Sequence, residues 1–146
     1  MTVSVVFFDL GDTLVRSPAA WVPGAKEALA ALRAKGLRLG ILSNTGQLAR
    51  EQILEQLPAD FTLAVFDPQL VLFSSEVGIE KPALSIFYLG LQRAEVDARQ
   101  CLFCTESLID ALAAQRTGMI AVRLLQPPAS DIGSLVPTGQ AARLWA

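Results

Sequence analysis

The residues best suited to chemistry gather in four places, each directly behind an apolar run. Asp9 and Asp12 follow VSVVFF, Ser43-Asn44-Thr45 follow LRLGIL, the stretch from Ser74 to Lys81 follows LVLF, and Thr105-Glu106, with Asp110 just beyond, follow CLFC. One aspartate, one hydroxyl, one lysine and a second acidic cluster suit phosphoryl transfer. In that chemistry an aspartate attacks phosphorus and Mg2+ held by carboxylates neutralises the phosphate. Hydroxyl, amide and ammonium groups hold the remaining oxygens. The 146 residues contain no histidine. That excludes Ser-His-Asp and Cys-His catalysis, histidine-bound zinc, iron or haem, and imidazole acid–base work.

Such a set requires strands that end on a common rim. Val3 to Phe8 is a continuous apolar and aromatic run, the pattern of a strand buried on both faces of a parallel sheet. Pro23 opens a helix with Ala25, Ala28, Leu29 and Leu32 on one stripe, closed by Lys35-Gly36. Leu37 to Leu42 is a second strand, and a helix carrying Leu48, Ile53, Leu54 and Leu57 follows until Pro58. Phe61 to Phe66 reads as a short strand or connection and Leu70 to Phe73 as a third main strand. Pro82 starts a helix with Ile86, Phe87, Gly90 and Leu91 inward, and Cys101 to Cys104 is a strand. Ser107 caps a helix to Arg116, Gly118 ends it, and Met119 to Leu124 is the last strand. This alternation implies an α/β fold, a three-layer α/β/α Rossmann-like parallel sheet. Its ligands bind beyond the carboxyl ends of the strands. Residues 1–125 form the core; 126–146, rich in proline, read as a tail that wraps the core or is partly disordered.

A net charge of −2 leaves no footprint for nucleic acid as a stable partner or for an anionic membrane surface. The segment MTVSVVFFDL lacks the basic start of a secretory signal, and no apolar run nears the roughly 18 residues of a membrane span. A cytoplasmic location is therefore expected. Cys101 and Cys104 fall inside an apolar run, so buried strand thiols are expected rather than redox or metal chemistry.

The segments FFDLGDTLV, GILSNT, EVGIEKPALSIF and CLFCTESLID followed by GMIAV closely resemble the four ordered motifs of the haloacid dehalogenase-like (HAD) superfamily of hydrolases. The resemblance runs from about Val3 to Leu124. It implies that Asp9 is the nucleophile, forming an aspartyl-phosphate and lending one oxygen to Mg2+, with the Gly11 carbonyl as a further metal ligand. Ser43 would bond the transferred phosphoryl group, helped by the Asn44 backbone N–H at a helix start. Lys81 would balance the charge of Asp9 and the phosphate. Glu106 and Asp110 would form the acidic metal motif, Glu106 directly or through water and Asp110 in the outer shell.

Two departures stand out. Family phosphatases carry a second aspartate two residues after the nucleophile, as acid and base; this chain has Gly11 there, with Asp12 as a possible substitute one residue on. Such help is worth about 10² to 10⁴ in rate, so a slow phosphatase is expected. Thr105-Glu106 stands where the family favours Gly-Asp, which implies weaker Mg2+ binding or a more permissive ion. Thirty-four residues separate Asp9 from Ser43 and 38 separate Ser43 from Lys81, too few for a cap domain. The site should be open, either to large phosphorylated substrates such as a phosphoprotein or a nucleic-acid end, or awaiting a lid from a second copy or a partner protein. Only residues 16–22 could form a local flap, and Trp21 is expected to pack against the Pro23 helix. The alternative function is a catalytically degenerate module that binds a phospho-ligand or a protein, for which 52% apolar residues and a mean hydropathy of +0.43 would fit an exposed apolar face. A response-regulator receiver is disfavoured, because the third main strand ends in Phe73-Ser74-Ser75 rather than an aspartate.

Overall fold

The computed structural model describes residues 2–125. The expected tail, 126–146, lies outside the described residues. Five strands form one parallel sheet: Val5–Phe8 (β1), Arg38–Ser43 (β4), Val71–Phe73 (β5), Cys101–Thr105 (β6) and Ile120–Arg123 (β7), in the spatial order β5-β4-β1-β6-β7. A small antiparallel hairpin, Val15–Arg16 (β2) with Ala20–Trp21 (β3), fills the flap position. The chain leaves β1 toward β4 and β5, then crosses back to β6 on the other side of β1. That reversal opens a crevice between β1 and β6, where ligands collect in such sheets.

Both faces are covered over β1, β4, β5 and β6, which explains the unbroken apolar runs, whereas β7 is largely exposed. Ala25–Ala34 (α1) and Arg50–Glu55 (α2) lie on one face, over a core that includes Val6, Phe8, Leu39 and Ile41. Leu84–Ala94 (α4) and Leu108–Arg116 (α5) lie on the other, with Val5, Phe7, Leu42 and Phe103 beneath them. A one-turn helix, Ser74–Val77 (α3), follows β5 directly. Phe7 explains two glycines. A Cβ at Gly40, its partner on β4, would lie 2.6 Å from its ring, and one at Gly90, inside α4, 3.2 Å. Glycine in a helix interior costs roughly 0.5–1 kcal/mol, and at Gly90 that loss accommodates a buried phenyl ring.

The structure modifies several expectations. Phe61 to Phe66 is no strand but a connection with a 3-10 turn at Leu63–Val65. Helix α2 begins only at Arg50, so Ser43 and Asn44 do not stand at a helix start and no helix dipole acts on an anion there. Trp21 stacks on Phe61 at 5.2 Å and donates its indole N–H to Asp60, so the 60–66 connection is its main partner rather than the Pro23 helix alone. Among the described residues, no helix is long and apolar enough to cross a membrane.

Candidate active site

Register puts the chemistry together. Phe8 pairs with Ile41 on one side and Cys104 on the other, so Asp9, one residue on, leaves the sheet at its centre beside Thr105. Its backbone N–H still bonds the Cys104 carbonyl at 3.0 Å. The Asp9 side chain is 8% exposed. Its Oδ1 accepts from the Leu10 N–H at 2.8 Å and pairs with Lys81 Nζ at 2.8 Å, and its Oδ2 accepts from the Thr105 hydroxyl at 3.2 Å. Lys81 also reaches Asp110 Oδ2 at 3.2 Å. Burial holds the Asp9 carboxyl above the ordinary aspartate range, against the lowering pull of Lys81.

Lys81 is positioned by a residue expected to touch substrate. The Asn44 side chain accepts from the Lys81 N–H at 2.8 Å and donates to the Lys81 carbonyl at 2.9 Å, clamping that loop against the end of β4. Thr45 and Ser74 are buried alongside, with the Thr45 N–H donating to Ser74 Oγ at 2.8 Å. The Ser43 hydroxyl is fully buried and has no hydrogen-bond partner among the described residues. An orphan of that kind costs about 1–3 kcal/mol, which a phosphoryl oxygen or a water would offset.

On the acidic side, the Glu106 N–H donates to the buried Thr13 hydroxyl at 3.2 Å. Ser107 caps α5 by accepting from the Asp110 N–H at 3.2 Å, which directs Asp110 to Lys81. Burial first, then the charges of Asp9, Asp12 and Asp110, raise the Glu106 carboxyl above the ordinary glutamate range. Asp12 sits at φ 60, a left-handed conformation uncommon for a residue with a Cβ, at the turn beyond Gly11. All eight expected positions, Asp9, Gly11, Asp12, Ser43, Asn44, Lys81, Glu106 and Asp110, therefore stand at the strand ends of one rim. Thr13, Thr45, Ser74 and Thr105 complete the site from below; their signal in the sequence is a polar residue at or just beyond a strand end.

Four carboxylates face one lysine here, and the surplus of hard oxygen donors fits a hard cation. Among the described residues no three acidic, histidine or cysteine side chains form a ready metal cage. Mg2+ needs none, because it keeps several waters and takes one or two carboxylates plus substrate oxygens. Cys101 and Cys104 are buried on opposite faces of β6. Burial pushes their thiols up to about 11 and about 12, so they are inert strand residues as expected.

A family model described as haloacid dehalogenase-like hydrolase matches residues 17–118. The chain is 34% identical over 101 residues to haloacid dehalogenase-like hydrolase domain-containing protein 3 of Xenopus laevis, covering 68% of this chain and 39% of that protein. It is also 34% identical over 103 residues to glyceraldehyde 3-phosphate phosphatase of Pyrococcus abyssi, covering 69% and 41%. Among solved structures, an uncharacterized protein from Listeria monocytogenes serotype 4b shares the fold, with a TM-score of 0.71, 23% identity, and coverage of 89% of this chain and 84% of that one. The chain thus belongs to the haloacid dehalogenase-like hydrolase family. It spans about two fifths of the length of the curated relatives it matches. The segment Asp9–Asp12 precedes the matched residues of the family model, so its role is argued from geometry.

Proposed function

We propose that this chain is the core of a phosphohydrolase that carries the phosphoryl group of a phosphorylated substrate on Asp9 and then passes it to water, with Mg2+ as cofactor. The observation that carries this reading is the Asp9 carboxylate: buried at the end of the central strand, aimed into the crevice, and held by one amide, one ammonium and one hydroxyl. Three donors hold the buried carboxylate in a single geometry, and Lys81 and the Leu10 N–H oppose the burial that raises its pKa. Oδ2 carries one long hydrogen bond among the described residues, which makes it the oxygen of choice for attack.

In the first half-reaction Asp9 Oδ2 bonds to phosphorus while the bond from phosphorus to the leaving oxygen breaks. Lys81 and the buried Ser43 hydroxyl stabilise charge on the transferred group, and Asn44 keeps Lys81 in place. In the second, water adds to phosphorus and the Asp9–phosphorus bond breaks, releasing inorganic phosphate and the free carboxylate. When bound, Mg2+ supplies charge neutralisation across the phosphate and Asp9; Asp9, the Gly11 carbonyl and Glu106 would hold it, with Asp110 behind. Gly11 offers no acid or base, so the leaving group departs with Asp12 or solvent as its proton source, and good leaving groups are preferred.

Apart from the β2–β3 hairpin, no domain interrupts the described residues between β1 and β4, so the rim is open to a bulky substrate. Leu108, Ile109 and Leu112 on α5, 50–66% exposed beside the rim, support a second copy or a partner protein as the lid. The second reading, a degenerate binding module, draws on the Thr105 hydroxyl occupying Asp9 and on Gly11. Hydrolysis of an aryl phosphate with and without Mg2+ separates the two. Activity that needs Mg2+ and vanishes in Asp9→Asn is expected of the enzyme; activity that survives either change would sink the nucleophile assignment, and no activity together with no Mg2+ binding would favour the module.

A further inference from the structure

The threonine that stands where the family favours glycine puts a donor on a reacting oxygen. The two shorter bonds to the Asp9 carboxylate, from the Leu10 N–H and from Lys81 Nζ, both 2.8 Å, end on Oδ1. Oδ2 receives the Thr105 hydroxyl at 3.2 Å. That hydroxyl has little freedom to turn away. Thr105 is fully buried as the last residue of β6, and its carbonyl accepts the Leu124 N–H at 2.8 Å. Its Oγ1 accepts the N–H of Ser107, the cap of α5, at 3.1 Å. A hydroxyl carries one proton, and with Oγ1 accepting from Ser107 that proton is directed to Asp9 Oδ2. Strand end and helix cap together fix the donor in advance.

The two half-reactions move charge on Oδ2 in opposite directions. On the reading above, on which this inference rests, attack draws an electron pair from Oδ2 into the new bond to phosphorus, and the leaving oxygen takes the pair of the bond that breaks. In the second step a water oxygen bonds to phosphorus and the phosphorus–Oδ2 bond breaks. Its electron pair returns to Oδ2, and the water proton passes to solvent. A fixed donor stabilises the state in which Oδ2 is charged. It therefore opposes attack and assists departure of the carboxylate. The assisted step is the one this chain handicaps elsewhere: Gly11, two residues after Asp9, offers no carboxylate to activate the water.

We propose that Thr105 is a catalytic residue of the second half-reaction: its hydroxyl stabilises the Asp9 carboxylate as the phosphoryl group leaves it, offsetting in part the missing acid–base group at Gly11. The two departures from the family pattern then act on the same step, one weakening the attack of water and the other easing the departure of Asp9.

Rapid mixing of the full chain with an aryl phosphate and Mg2+ separates the two steps. The aryl alcohol appears in a burst as the adduct forms, and then at the rate at which the adduct is hydrolysed. Thr105→Val keeps the branched shape and removes the hydroxyl. Its burst should be at least as fast as that of the wild type, while its steady rate falls about 10-fold. More of the chain should also carry phosphate on the Asp9 peptide at steady state. Thr105→Ser should restore most of the steady rate. Should Thr105→Val not fold, Thr105→Ala, which also lacks the hydroxyl, takes its place with the same expectation. Burst and steady rate falling together, a steady rate equal to that of the wild type, or no recovery in Thr105→Ser overturns the assignment and leaves the phosphohydrolase reading intact. A wild type that forms no adduct at Asp9 overturns that reading, and the assignment falls with it.

Discussion

Replacing Lys81 by methionine isolates the electrostatics of the site from its chemistry. Methionine keeps an unbranched stem against the Phe103 ring, over which the ammonium sits at 5.7 Å, and removes only the charge and its donors. The lysine, Asp9 and Asp110 side chains are 2%, 8% and 13% exposed, and one Nζ serves both carboxylates, at 2.8 and 3.2 Å. Without it two buried carboxylates face each other with no cation. Removing one partner of such a buried arrangement costs about 3–5 kcal/mol, which for a domain near this size lowers Tm by about 6–20 °C. The deficit depends on pH with a definite sign. Burial already raises the folded-state pKa of Asp9, and Lys81 is the main influence opposing it. In Lys81→Met the value rises further. A carboxyl raised in the folded state favours folding most below its unfolded pKa, near 3.9, and that advantage is lost as pH rises through the folded value. The gap between wild type and Lys81→Met should therefore be widest at pH 8 and narrower at pH 5. Urea unfolding followed by circular dichroism at the two pH values measures it. A deficit under about 1 kcal/mol, or one equal at both pH values, would refute the reasoning that Lys81 compensates a buried anionic pair.

Other outcomes follow from the same geometry. Asp9→Asn leaves Lys81 paired with Asp110 and removes the charge that burial penalises, so without metal it should unfold no earlier than wild type in urea. Gly11→Asp restores an acid two residues after the nucleophile and should raise kcat for a poor leaving group by about 10² or more, with less gain for an aryl phosphate. The native thiols should resist an aromatic disulfide reagent at pH 8 that labels the unfolded chain completely, because burial holds Cys104 near 12 and Cys101 near 11.

What the sequence made legible was periodicity and punctuation. The runs ending at Phe8, Leu42, Phe73 and Cys104 are too apolar for anything but strands covered on both faces, and their polar successors had to share a rim. What it concealed depends on partners distant along the chain. Two-residue strands such as Val15–Arg16 and Ala20–Trp21 exist only because they pair with each other. Thr45-Gly46-Gln47 forms a turn before α2, so Asn44, expected at a helix start on local caps alone, instead clamps Lys81, 37 residues away. Thr105 read as a departure from the family's glycine, and only the register of β1 with β6 revealed its hydroxyl on Asp9. The exposed face of β7, with Ile120 and Val122 in it, was equally hidden, since apolar content does not say where apolar residues reach the surface.

The most direct test of the nucleophile is chemical. The chain is mixed with an aryl phosphate and Mg2+, quenched in acid, digested and mapped by mass spectrometry. A phosphoryl group on the peptide containing Asp9, removed by hydroxylamine and absent in Asp9→Asn, is the expected result. Turnover without any adduct on that peptide, or an adduct that persists in Asp9→Asn, would contradict it.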